Sequence, residues 1–154
     1  MSLDYLPIMA RRSTKSRKLV KPARLAWHPL VRSAASARIA LLTSAAMRRA
    51  SQPNYTPPDD ASYRIIPAAP TVSDLVIDHR SPVGVDARRD SEIVFPRNAL
   101  TALANQGLVG SIASDHFSFV GGFHLYRELE EELAPALARE LAQAAVDLAV
   151  LVPY

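Results

Sequence analysis

The last part of the chain combines a helical pattern with an apolar segment directly after it. Leucines recur at every fourth position from 125 to 141, which keeps one face of a helix apolar over residues 124–145. Residues 146–153 follow and contain the uninterrupted apolar run 148–152, which is typical of a parallel strand buried on both faces. A helix that leads into such a strand is one half of a βαβ unit. This pattern constrains the chain to an α/β architecture.

Strand patterns also occur upstream. Residues 37–44 are an apolar run that ends in the small polar residues Thr43 and Ser44, which predicts a first strand. Residues 74–79 predict a second strand, with Asp78 and His79 at its carboxyl end. Residues 63–67 predict a short edge strand, because Pro67 cannot donate to a ladder. Residues 109–113 predict another short strand or the edge of a loop. The segments 51–58 and 81–90 predict loops.

Helical patterns lie between these strands. Residues 97–105 predict a helix with Gly107 as its stop signal. Pro135 falls inside the helix of residues 124–145, so we expect that helix to be kinked or split there. Together the elements predict a three-layer α/β fold with a mostly parallel sheet and flanking helices. An incomplete doubly wound domain is one fold of this kind.

Charge divides the chain into two parts. Residues 1–50 contain eleven of the 18 Lys and Arg residues and only one of the 15 acidic residues. We interpret residues 1–36 as a basic leader, partly disordered or packed on the domain through Trp27, and residues 37–154 as the domain. Three other interpretations of this basic segment stay open: a transit-like peptide, a contact with a membrane surface, and docking on an acidic partner. Nucleic-acid binding is not expected, because no stacking aromatics are interleaved with the basic residues.

Two absences narrow the function classes. No apolar run approaches the roughly 20 residues of a membrane helix, and no apolar core follows the basic residues as in a signal peptide, so we expect a cytoplasmic protein. The chain contains no cysteine, which excludes disulfides, thiolate metal sites and thiol nucleophiles from these 154 residues.

The candidate site residues lie where predicted strands meet loops. The pairs Asp78-His79 and Asp115-His116 can bind a metal or handle protons, but they lack the fixed spacing of a zinc site, so no metal is assigned. Histidines satisfied by local hydrogen bonds are the alternative. If the cleft is functional, we expect His79, His116 and Ser118 to bind substrate.

Small residues support the same site. Gly121-Gly122 ahead of a helix can cradle a carboxylate with backbone amides, although a plain turn is the preferred interpretation of such a pair. Ser44, in the small-residue stretch that ends the first strand, allows a ligand to approach closely. We assign Ser44, Asp78 and Asp90 supporting roles.

Five groups of residues carry a resemblance over residues 27–153. They are residues 38–44; Asp78-His79; Asp90 with residues 93–97; residues 108–111 with residues 116–121; and residues 132–135 with Val146-Asp147 and residues 151–153. Their order and spacing resemble the N-terminal part of the selenoprotein B family of glycine, sarcosine, betaine and D-proline reductases.

The resemblance implies reductive cleavage of a C–N bond in a small amine or amino acid. In that family a selenocysteine or cysteine attacks the substrate, and an external dithiol resets the oxidised pair. The redox pair belongs to the loop after the strand that matches residues 146–153, so we expect a truncated, split or degenerate relative without catalytic residues of its own. It would depend on a partner's selenol or thiol.

Two further expectations concern partners and alternatives. We expect another protein chain to pair at the edge of the C-terminal strand, or the chain to form a homo-oligomer, because an exposed strand edge invites pairing. The alternative function is a non-catalytic subunit for small-ligand binding or assembly. A metal-dependent hydrolase or lyase built on the histidines is a third hypothesis.

Overall fold

The structure, a computed structural model, describes residues 28–56, 60–69, 71–79, 84–122 and 126–154. Trp27 and most of the predicted leader lie outside the described residues, so the division into leader and domain stays a prediction. The strands are β1 (Arg38–Thr43), β2 (Met47–Arg49), β3 (Tyr63–Pro67), β4 (Leu75–Ile77), β5 (Ser111–Ile112), β6 (Asp115–Phe119) and β7 (Leu148–Val152). The α-helices are α1 (Gly84–Arg89), α2 (Arg97–Asn105), α3 (Tyr126–Glu128) and α4 (Ala134–Gln143).

Strand β1 lies at the centre of the main sheet. On one side it pairs in parallel with β7, from Ile39 opposite Leu148 to Thr43 opposite Val152. On the other side it pairs in parallel first with β5 and then with β6. Strand β3 joins β6 antiparallel at the edge, with Pro67 as its last residue. The mostly parallel sheet with flanking helices confirms the predicted α/β fold.

Strands β2 and β4 form a separate antiparallel ribbon. The predicted strand over residues 74–79 therefore exists, shortened to β4, but it lies outside the main sheet. Its partner β2 was missed, since two of its three residues are arginines and the segment shows no apolar run. The predicted loop over residues 81–90 is wrong in part, because α1 forms there. Its Ala87 is buried in the core, and tertiary packing of this kind stabilises helices too short to form alone.

The other helices follow their sequence patterns. Helix α2 is confirmed, and Gly107 just after it adopts φ +71°, a conformation that favours glycine. The long predicted helix runs through α3, a π-helical segment (Leu129–Leu133) and α4, with Pro135 in the first turn of α4. The change of hydrogen-bond pattern just before Pro135 accommodates its missing N–H. No helix in the described part of the chain is long and apolar enough to cross a membrane.

The sheet separates two hydrophobic cores. Ile39 and Leu41 of β1 pack with Phe95 in the first core, whereas Leu42 packs with Phe117 in the second. Alternation along β1 thus buries both faces of the strand, as its continuous apolar run predicts.

The prediction that β7 is buried is wrong in part. Leu148 and Ala149 pack against the cores, but Val150 is 37% exposed and Leu151 is 64% exposed. These side chains are exposed because of the position of β7 in the sheet. Strand β7 is the last strand on its side of β1, and no other strand of the described residues pairs with its outer edge.

Candidate functional site

Ser44 joins three strand ends at the carboxyl edge of the main sheet. It follows β1, and its N–H donates to the carbonyl of Val152 over 3.2 Å. Its hydroxyl accepts the N–H of Tyr154 over 2.8 Å, and its carbonyl accepts the N–H of Gly121 over 2.7 Å. The carboxyl edge is where ligands bind in open α/β sheets. Ser44 is therefore central to the candidate site, although the sequence assigned it only a supporting role.

His79 reaches the same edge from the β2–β4 ribbon. It lies two residues after β4, and its ring packs edge-on against the ring of Tyr154 with 5.0 Å between centroids. Burial lowers the pKa of His79 below its usual value, and a hydrogen bond to the backbone of Gly121 partly opposes that shift. The imidazole is therefore mainly neutral at pH 7, a state in which one ring nitrogen can accept a hydrogen bond. We call Ser44, His79, Gly121 and Tyr154 the carboxyl-edge cluster.

A small apolar cavity borders this cluster at Ser44. Its volume is about 100 Å³. The residues that line it are Leu42, Ser44, Phe119, Leu151, Val152 and Pro153. The cavity thus places one hydroxyl-bearing residue among apolar neighbours at the carboxyl ends of β1, β6 and β7.

Gly121 has a different role from the one predicted. Its N–H donates to Ser44, so that amide is not directed at a ligand carboxylate. A Cβ at this position would lie 2.9 Å from the carbonyl oxygen of Ser44, which explains the need for glycine. Gly122 adopts φ +73°, as in a turn. The structure describes helix α3 from Tyr126 onward and does not describe residues 123–125.

His116 and Ser118 lie inside the sheet and are fully buried. The Nδ1 atom of His116 accepts the N–H of Leu41 over 3.2 Å, and its ring packs edge-on against Phe95. The hydroxyl of Ser118 accepts the N–H of Met47 over 2.7 Å. Each of the two side chains therefore accepts a hydrogen bond from a backbone N–H. For His116, this agrees with the alternative interpretation, in which the histidines are satisfied by hydrogen bonds within the protein. Their assignment to substrate binding stays a prediction.

The supporting carboxylates are also engaged. Asp78 accepts from Arg48 Nε over 2.6 Å and from the N–H of Tyr55 over 2.9 Å. Asp90 caps the 3-10 turn at Ser91–Ile93, where it accepts the N–H of Glu92 over 3.0 Å. Among the residues that the structure describes, no three His, Asp or Glu side chains are grouped closely enough to hold a metal ion. The pairs Asp78-His79 and Asp115-His116 do not form such a group.

Sequence reasoning missed two residues, Tyr154 and Arg48. Tyr154 belongs to no motif in the sequence, yet its N–H and its ring contact Ser44 and His79. In the sequence, Arg48 is one of the eleven basic residues of the segment 1–50. The sequence places Arg48 two residues after a run of small residues. That position does not predict an ion pair with Asp78.

Comparison with known proteins yields one informative similarity. No family model matches the chain, and no solved structure matches it. The chain is similar to a proline reductase subunit. It is 27% identical over 125 residues to D-proline reductase subunit gamma of Acetoanaerobium sticklandii, which covers 81% of this chain and 52% of that protein. The chain thus spans about half the length of the relative it matches.

This similarity supports a relationship to the reductase group that includes D-proline reductase. It agrees with the reductase resemblance of the sequence motifs at the level of this wider group. The narrower assignment to selenoprotein B is part of the proposal below.

Proposed function

We propose that the chain is a domain of a C–N-cleaving reductase related to the selenoprotein B component, and that it binds a small amine or amino acid at the carboxyl-edge cluster. The observation that carries this proposal is the similarity to D-proline reductase subunit gamma over 81% of the chain. The convergence of Ser44, His79 and Tyr154 at one sheet edge supports it independently.

The chemistry divides between the chain and a partner. A reduced dithiol or selenol–thiol pair supplies two electrons and two protons. The C–N bond breaks, the carbon gains one hydrogen, the nitrogen leaves with the other, and the pair becomes a disulfide or selenide-sulfide. The 154 residues contain no cysteine, so the pair comes from outside them, and an external dithiol reduces it again. We place this chemistry in the cytoplasm, because thiols stay reduced there.

Within the chain, each residue has a separate role. The neutral imidazole of His79 accepts a hydrogen bond from the substrate's amino group, and the cavity next to Ser44 offers an apolar surface beside the cluster. His116 and Ser118 contribute from within the sheet by holding β1 and β2 in place. Gly122 contributes the turn after the cluster.

Titration calorimetry on the full chain tests the proposal. The ligands are D-proline, because the relative is named for it, and L-proline, glycine, sarcosine and betaine. We expect saturable binding of at least one ligand, and a loss of about tenfold in affinity in His79→Ala, which corresponds to roughly 1.4 kcal/mol.

The matched control is His28→Ala, at an exposed histidine outside the cluster. It should leave the affinity unchanged. Absence of saturable binding for all five ligands would reject the proposal, and so would equal affinities of the wild type and His79→Ala.

A second candidate function is assembly with another chain. The observation in its favour is the outer edge of β7, where Val150 and Leu151 are exposed and the described residues provide no pairing strand. Exposed edges of this kind bind further strands. The relative is itself named as a subunit, which makes either a different partner chain or a second copy of this chain a reasonable occupant of the edge.

A further inference from the structure

A partly buried ion pair lies next to His79 in the β2–β4 ribbon. The Nε atom of Arg48 is 2.6 Å from Oδ2 of Asp78, and the two side chains are 10% and 16% exposed. Asp78 immediately precedes His79 in the chain. A shielded ion pair at this place restricts the backbone that carries the imidazole.

Further hydrogen bonds extend this restraint. The same Oδ2 atom accepts the N–H of Tyr55 over 2.9 Å, and the N–H of Asp78 donates to the carbonyl of Ala46 over 3.0 Å. The Nη1 atom of Arg48 lies 3.2–3.4 Å from three carbonyl oxygens of the turn after β2. These carbonyls belong to Arg49, Ala50 and Gln52.

We propose that Arg48 is a positioning residue, which acts through Asp78 to hold the His79 ring against Tyr154 and Gly121. The inference rests on the proposed function, because the position of the His79 ring matters only if His79 binds the substrate. An arginine is required. Its Nε binds the carboxylate while Nη1 binds the turn carbonyls, and the single ammonium group of a lysine cannot occupy both positions.

The ribbon contains a matched control. Arg49, the next residue of β2, pairs through Nε with Oδ1 of Asp74 over 3.1 Å, with side chains 39% and 37% exposed. Asp74 precedes β4, so this pair lies at the opposite end of the strand from His79. Arg49→Lys therefore changes the same atoms in the same ribbon without touching the restraint on His79.

Nuclear magnetic resonance titration of the histidine rings in the full chain tests the inference. In Arg48→Lys we expect the pKa of His79 to rise by about half a unit or more toward its usual value, because the released ring becomes more hydrated. The pKa of His116 should stay unchanged, since it lies in the main sheet. Arg49→Lys should leave both values unchanged. Asp78→Asn, which keeps an oxygen for the N–H of Tyr55, is the second variant and should act like Arg48→Lys.

The outcomes separate the inference from the proposed function. A His79 pKa that stays within about 0.2 units of wild type in Arg48→Lys and Asp78→Asn overturns the inference. Equal shifts of His79 and His116 also overturn it, because they indicate general loosening of the fold. With D-proline as probe, Arg48→Lys should weaken binding about fivefold. If the wild type binds no ligand while His79 responds as expected, the proposed function fails and the positioning by Arg48 stands.

Discussion

The buried residue His116 makes the stability of the sheet depend on pH. Its Nδ1 accepts the N–H of Leu41 in the central strand, which requires that nitrogen to be unprotonated. Burial lowers the pKa of His116 from 6.5 to about 4, with the Arg97 guanidinium as the second cause and Asp115 opposing. The folded state therefore holds the neutral ring.

The pKa of His116 predicts the pH dependence of stability. Because the folded value lies below the unfolded value, the stabilisation is complete above pH 6.5 and is lost as the pH falls toward about 4. The loss over this window should be about 3 kcal/mol, from roughly 1.4 kcal/mol per pKa unit. Urea unfolding at several pH values measures it.

The comparison variant is His116→Asn, which keeps an acceptor for Leu41 but cannot titrate. Its free energy of unfolding should fall less steeply between pH 6.5 and 4 than that of the wild type. Equal slopes for the two proteins would show that His116 does not carry the dependence.

At the scale of elements, the helical path from α3 to α4 stabilises the second core. Leucines at positions 129, 133, 137 and 141 all contact this core, as their spacing predicts. The π-helical segment changes the hydrogen-bond pattern ahead of Pro135 but keeps Leu133 only 1% exposed. The apolar face therefore continues across the irregular turn.

Leu133→Ala tests this packing. We expect a loss of about 2–5 kcal/mol in the free energy of unfolding, because the change leaves a cavity between the helix and the sheet. Leu103→Ala, at a position of α2 that is 41% exposed, should cost less than about 1 kcal/mol. Similar losses for both variants in urea unfolding would contradict a core role of the π-helical segment.

At the scale of the whole molecule, β7 presents an outer edge on which no strand of the described residues pairs. The strand pairs with β1 on one side only within the described part of the chain, and Leu151 is 64% exposed. Backbone N–H and C=O groups along such an edge favour addition of a further strand.

We predict that sedimentation velocity detects concentration-dependent association of the purified chain. Leu151→Lys should shift the distribution toward monomer, because a charge at the edge opposes pairing. Its free energy of unfolding should change by no more than about 0.5 kcal/mol, since the side chain is exposed. Identical association of the wild type and Leu151→Lys would exclude pairing through this part of β7.

Local patterns were sufficient for much of the fold. The apolar run of β1, the edge strand ending at Pro67 and helix α2 with Gly107 after it follow from propensity and periodicity. Strand β2 and helix α1 did not, because each is short and acquires its stability from contacts distant in sequence. Strand β6 was not predicted either, because its mixture of polar and aromatic residues shows no apolar run. The candidate site divides in the same way: His79 and Ser44 were predicted, whereas Tyr154 and Arg48 were not.

The sequence by itself determined the α/β class, the two-faced burial of β1 and the lack of a thiol in these residues. Only the tertiary structure decided which polar side chains meet. It buried His116 and Ser118 as partners of backbone amides and brought Ser44, His79 and Tyr154 to one edge. The reason is that burial and hydrogen-bond partners depend on strand order and register, which local patterns do not encode.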